Sequence, residues 1–147
     1  MTSEASQADD LARQVADAMW AKDLASQALG LQLQQVGQGH ARFTMTVRPE
    51  HCNGFGVLHG GVLATLADTA FAFACNSSNA LTLATGFDID ILRSAHAGDA
   101  LSASAECRHQ GGQNGLYDVT ITRGEDTIAH FRGRSQRLKG RKVVEEI

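Results

Sequence analysis

The amino-acid sequence predicts an α+β fold in which an antiparallel sheet wraps around one long central helix. Three observations carry that expectation. The stretch 60–75 is apolar on most sides and rich in alanine, as a buried helix would be. Elsewhere hydrophobic residues alternate with polar ones over short runs, the period of half-buried strands. Glycine-bearing turn signals separate those runs, and a lone apolar helix among so many strands is best buried by a sheet that closes over it.

Taken in chain order, residues 1–10 are polar and acidic and are expected to form a disordered tail. From Asp9 the spacing turns helical, with Leu11, Val15 and Met19 four apart on one face. A second short helix is expected from Asp23 to Leu29, with Gly30 as its stop. The period then changes to two. Leu31 and Leu33, then Ala41, Phe43, Met45 and Val47, flank Gly37-Gln38-Gly39, which reads as a hairpin closed by the only proline, Pro49. A loop over 50–59, rich in Gly, Asn and His, leads into the central helix. Four more strands follow, near 82–92, 99–110, 115–123 and 127–138, and the charged residues 139–147 are expected to fray. The domain is therefore 11–138. A helical "sausage" in a sheet "bun" is the hotdog fold.

Composition narrows the function. A chain of 147 residues suits one domain. A net charge of −3 argues against bulk nucleic-acid binding. Cys52, Cys75 and Cys107 are scattered, with no C-x-x-C pair, so neither a zinc site nor a disulfide framework is indicated. His51, His96, His109 and His130 show no metal-ligand spacing, and no metal or cofactor is expected. The most apolar run, Val62 to Cys75, is broken by Asp68 and falls short of the roughly 20 residues of a bilayer span. The expected location is the cytoplasm.

Chemistry concentrates at Asn53-Gly54-Phe55-Gly56-Val57-Leu58-His59-Gly60-Gly61 and at Asp68. Gly60 and Gly61 open the helix, where unpaired N–H groups and a partial positive charge can polarise a carbonyl and hold an oxyanion. Asn53 can add an amide donor, and His59 can orient the loop or donate to the same oxygen. Asp68 sits two turns into an apolar helix, where a carboxylate must be paired, solvated by a cleft, or costly. It is the candidate general base or nucleophile, ionised if its pKa is the ordinary one of about 3.9. Gly60 and Asp68 are separated by about 12 Å along a helix axis. Two groups so placed do not easily share one reacting carbonyl, so the carboxylate is expected from a neighbouring subunit, in a dimer with interfacial active sites. Gly61, Leu63 and Phe71 are candidates to line the acyl site. Arg93, Arg132 and Arg134 are candidates for coenzyme A phosphates, with Arg108 a further option. There is no G-x-S-x-G elbow, P-loop or G-x-G-x-x-G sequence.

The stretch Asn53 to Ser77, with Asp90-Ile91-Leu92-Arg93, Ala97-Gly98-Asp99, Arg108-His109-Gln110-Gly111 and Phe131-Arg132-Gly133, resembles the PaaI subfamily of hotdog thioesterases over roughly residues 12–138. The resemblance implies hydrolysis of phenylacetyl-CoA or ring-hydroxylated relatives in bacterial phenylacetate catabolism, by a homotetramer built from two dimers. It matches Asp68 to the catalytic aspartate, Gly60 to the backbone donor facing the thioester oxygen, and Asn53 and His59 to the supporting loop. Thr85 is the nearest counterpart of a hydroxyl residue on the following strand. Ser94 departs from the pattern, where proline is expected after Leu-Arg. The alternatives to a thioesterase are another hotdog acyl-CoA enzyme, a hydratase or dehydratase, and a non-catalytic acyl-CoA-binding protein.

Overall fold

The computed structural model describes residues 3–147. Helix α1 spans Glu4–Lys22 and α2 spans Leu24–Ala28; the hairpin strands β1 (Gln32–Gly37) and β2 (His40–Thr46) follow. After a short 3-10 turn at Pro49–His51 comes α3, Gly60–Cys75, and then β3 (Ala80–Ile91), β4 (Ala100–Gly111), β5 (Asn114–Arg123) and β6 (Asp126–Lys142). The strands form one antiparallel sheet in the order β1-β2-β4-β5-β6-β3, curled around α3. This is the hotdog architecture, with α3 as its buried helix.

The core follows from the alternation. Ala103, Ala105, Tyr117, Val119, Ile121, Ala129 and Phe131 turn inward onto Leu66, Ala67, Ala70, Phe71 and Phe73 of α3, all buried. The many small residues let sheet and helix approach closely, and the few aromatics fill what remains. Phe43 and Phe73 meet edge to face at 4.8 Å, and Phe71 packs against both Tyr117 and Phe131. Gly133 makes that last packing possible, because a Cβ there would lie 2.7 Å from the Phe71 ring. Gly133→Ala is therefore expected to lose about 1–3 kcal/mol of stability by overpacking, readable as a lower denaturant midpoint at unchanged slope.

Both ends differ from expectation. The expected N-terminal tail is helical from Glu4, because Ser3 accepts from the Ser6 N–H as an N-cap, a signal that precedes the apolar stripe; residues 1–2 lie outside the described residues. The C-terminal segment is held in place. β6 continues to Lys142, and Asn79 donates to the carbonyls of Val144 and Ile147 while accepting from the Val144 N–H. The segment at Ser94 keeps its bend without proline, since Arg123 donates to the Ser94 carbonyl and to Asp99.

Candidate active site

The loop before α3 is shaped by its own polar groups. Asn53 Oδ1 accepts from the Phe55 and Val57 N–H groups at 2.9 and 3.2 Å, and the Asn53 N–H donates to the Val57 carbonyl at 2.8 Å. That closes a tight turn in which Gly56 adopts φ +75°, a conformation glycine accepts without strain. The turn is pinned from both sides, by Leu58 N–H to the Ala95 carbonyl and by His59 N–H to the His51 carbonyl. The Asn53 side-chain NH2 takes no part in this and has no acceptor among the described residues.

His59 is the N-cap of α3. Its Nδ1 accepts from the Gly61 N–H at 3.2 Å, and its carbonyl accepts from Val62 and Leu63. In the neutral ring this places the proton on Nε2, which has no acceptor among the described residues. Among the described residues the Gly60 N–H has no acceptor, so the first turn offers one free backbone donor where the helix dipole is most positive. Gly60 also faces the end of β3, since a Cβ on it would meet Ile91 Cδ1 at 3.4 Å. Ile91 was not among the sequence candidates, because nothing local links residue 91 to residue 60.

Asp68 lies half-buried on α3, with no hydrogen-bond or ion-pair partner among the described residues. Loss of water raises its carboxyl pKa above the ordinary value, and the neighbouring Asp23 carboxylate raises it further. Asp23 is brought there by a relay between helices. It caps α2 by accepting from Ser26, whose Oγ meets Thr69 Oγ1 at 2.9 Å on the next residue of α3. The expected short helix began at Asp23, but nothing local links residue 23 to residue 68.

The other candidates are dispersed. Leu63 and Phe71, expected to line an acyl pocket, are 2% and 0% exposed and pack within the core of this chain. Gly61 is exposed beside Gly60. Thr85 stands on the open edge strand at a bulge, donating to the Arg134 carbonyl at 3.2 Å. Arg132 and Arg134 share one strand face, as expected, but it is the outer face of the sheet. There Arg132 forms a two-pronged pair with Asp118 at 2.7 and 2.9 Å, and Arg134 pairs with Asp88 at 3.0 Å. Arg108 also pairs with Asp118. Arg93 is exposed two residues beyond Ile91. Five clefts of the chain, the largest of about 550 Å³, include none of Asn53, His59, Gly60 or Asp68. Among the described residues no group of three or more His, Cys, Asp or Glu side chains could hold a metal ion, and no helix is long and apolar enough to cross a membrane.

An apolar helix enclosed by a six-stranded sheet, with a free donor at its start and a bare carboxylate within it, defines a hotdog-fold thioesterase, and comparison with known proteins agrees. The sequence model of the thioesterase superfamily matches residues 55–130, and the chain belongs to that family. Within it, the chain is 46% identical over 128 residues to the acyl-coenzyme A thioesterase PaaI of Escherichia coli (strain K12), covering 86% of this chain and 91% of that protein. The structure of the E. coli PaaI protein, from the phenylacetic acid degradation operon, superposes with a TM-score of 0.88 at 45% identity, covering 90% of this chain and 97% of that one. The TT0310 protein of Thermus thermophilus is 32% identical with a TM-score of 0.78, over 80% of this chain and 99% of that one. A Streptococcus mutans protein solved with acetyl CoA is 26% identical with a TM-score of 0.73, over 76% and 91% of the two chains.

Proposed function

We propose that this thioesterase hydrolyses phenylacetyl-CoA or hydroxyphenylacetyl-CoA to the free acid and coenzyme A, in cytoplasmic phenylacetate degradation. The observation that carries the mechanism is the pairing of an unshared Gly60 N–H with an unpartnered, half-buried Asp68 on one helix. The thioester oxygen docks on the Gly60 N–H, with the Asn53 amide and His59 Nε2–H as further donors. As the carbonyl carbon becomes tetrahedral, its oxygen gains charge, and donors already aimed at it stabilise that charge. Asp68 takes the proton of the attacking water; the C–S bond breaks, and the thiolate leaves and is protonated. Attack by the Asp68 carboxylate itself would instead pass through a mixed anhydride. Single-turnover hydrolysis in ¹⁸O-water separates the two, since label in the Asp68 carboxylate excludes simple base catalysis.

Asp68 reaches the carbonyl from a partner subunit in this reading, because about two helical turns, some 12 Å, separate it from its own Gly60. The open edge of β3 supports such a dimer. Phe87 and Ile91 there are 41% and 51% exposed, with Leu83 at 52% and Leu92 at 55% close by. A long apolar edge with unpaired backbone groups is a template for a second strand. Two such dimers form the tetramer. The reaction needs no cofactor, coenzyme A being part of the substrate.

Thiol release from a panel of aromatic and aliphatic acyl-CoAs tests the substrate. Phenylacetyl-type thioesters are expected to show the highest kcat/KM. Faster turnover of aliphatic chains would overturn the aromatic assignment, and no turnover of any thioester would favour an acyl-CoA-binding role. Mixed oligomers of a Gly60→Val chain and an Asp68→Asn chain test the shared site. Each parent is expected to be inactive, and the mixture to recover up to about half of one wild-type site per dimer.

A further inference from the structure

His51 ends the short 3-10 turn, two residues before Asn53, and is 3% exposed, an unusual place for a group that titrates near neutral pH. Its Nδ1 accepts from the Arg48 N–H at 3.0 Å, while its own backbone N–H donates to the Arg48 carbonyl at 2.9 Å, so the turn is closed on itself. Its Nε2 lies 3.0 Å from Arg48 Nη2. That same Nη2 donates to the Ala28 carbonyl at the end of α2, at 2.8 Å, and α2 is held to α3 where Ser26 Oγ meets Thr69 Oγ1. The His51 carbonyl accepts from the His59 N–H at 2.9 Å, and Cys52 pairs with Leu58 in an antiparallel bridge. The ring therefore sits where the two ends of the donor loop meet. Through Arg48 and α2 it ties that base to the helix carrying Asp68.

Both ring nitrogens face donors. A neutral imidazole has one acceptor nitrogen and one N–H, and a guanidinium accepts nothing. A neutral ring thus satisfies one of the two contacts. An imidazolium satisfies neither and sets its charge beside that of Arg48. Burial disfavours the charged ring, Arg48 disfavours it further, and the opposite pull of Glu50 does not cancel them. Among the described residues these two are the charged groups that act on it. The loop end at His59 brings it a backbone N–H, and the facing end of α2 brings a carbonyl to its partner Arg48. The geometry selects the neutral ring, and protonation undoes the contacts that close the base of the loop.

We propose that His51 is a positioning residue for thioester hydrolysis, its neutral ring holding the base of the loop that presents Asn53 and the start of α3. The role rests on the thioesterase reading above. His51 touches no reacting atom; it acts through the turn at Arg48 and the His59 N–H. Wild type, His51→Phe, His51→Asn and Asp68→Asn are assayed as intact oligomers by thiol release from phenylacetyl-CoA, with kcat and KM followed from neutral pH into acid. His51→Phe keeps the bulk and loses both ring nitrogens, so it is expected to lower kcat about tenfold or more at neutral pH with KM little changed, as a slight displacement of groups that act in the transition state does. In His51→Asn the amide oxygen stands near the place of Nδ1 and accepts from the Arg48 N–H, so most of that loss is expected to be recovered. The acid limb separates positioning from plain stability. Wild type needs Asp68 ionised and His51 neutral, so log kcat is expected to fall with a limiting slope of about two, and His51→Asn, which cannot titrate there, with a slope of about one. Normal kcat in His51→Phe, beside the loss in Asp68→Asn, overturns this role and leaves the thioesterase reading standing. No turnover by wild type overturns both. If His51→Phe fails to fold, the slope of His51→Asn decides, and a slope equal to that of wild type overturns the role.

Discussion

Asp68→Asn is expected to lower turnover by about 10²–10⁴-fold, the usual contribution of a positioned base, without weakening the fold at neutral pH. The amide keeps the shape of the side chain and removes only its basicity. The stability half follows from the raised carboxyl pKa. A group whose pKa is higher folded than unfolded favours the native state while protonated. That contribution is complete below the unfolded value and is lost as pH rises through the folded one. Near pH 7, then, the wild type holds an ionised, unpartnered carboxylate at a net cost, and the variant does not. Thermal unfolding should show Asp68→Asn at least as stable as wild type at neutral pH, with any advantage shrinking in acid. The same shift sets the acid limb of kcat. Either role of Asp68 needs the ionised form, so activity should fall with decreasing pH around a midpoint above the ordinary 3.8. Substantial turnover by the Asn variant, or a midpoint at the ordinary carboxylate value, would remove Asp68 from the chemistry.

Phe71→Ala is expected to destabilise the chain by about 3–5 kcal/mol, a large part of the 5–15 kcal/mol that holds a typical domain together. The ring is fully buried between Tyr117 and Phe131, and the missing side chain at Gly133 is shaped to it. Truncation leaves a cavity that β5 and β6, tied by their ladder, do not collapse to fill. Equilibrium denaturation measures the loss. The alternative, that Phe71 lines the acyl pocket, makes an opposite forecast of near-normal stability and altered acyl preference, so a single pair of measurements separates core from pocket.

The local geometry of the candidate site was legible along the chain because its parts lie close in sequence. Asn53, His59 and Gly60 sit in a turn and a helix start spanning a few residues, and such geometry is written in Gly, Asn and His at fixed offsets. Asp68 stood out for a different reason: a carboxylate in a run of Leu, Ala and Phe contradicts its surroundings. The chain ends were harder. The Ser3 cap extends α1 beyond its apolar stripe, and Asn79 secures the last residues from a turn more than 60 positions away.

The alternation and composition of the sequence were enough to indicate one buried helix, from about Gly60 to Cys75, and the strands around it. Those are properties of period and of neighbouring residues. Which groups meet across the sheet depends instead on strand order and register, which join distant segments. The ladder pairs Arg132 and Arg134 with Asp118 and Asp88 on the outer face, and it aims Phe71 at Gly133. Helix docking brings Asp23 near Asp68. Long-range pairing has no local signature, because it arises only when the whole sheet closes around its helix.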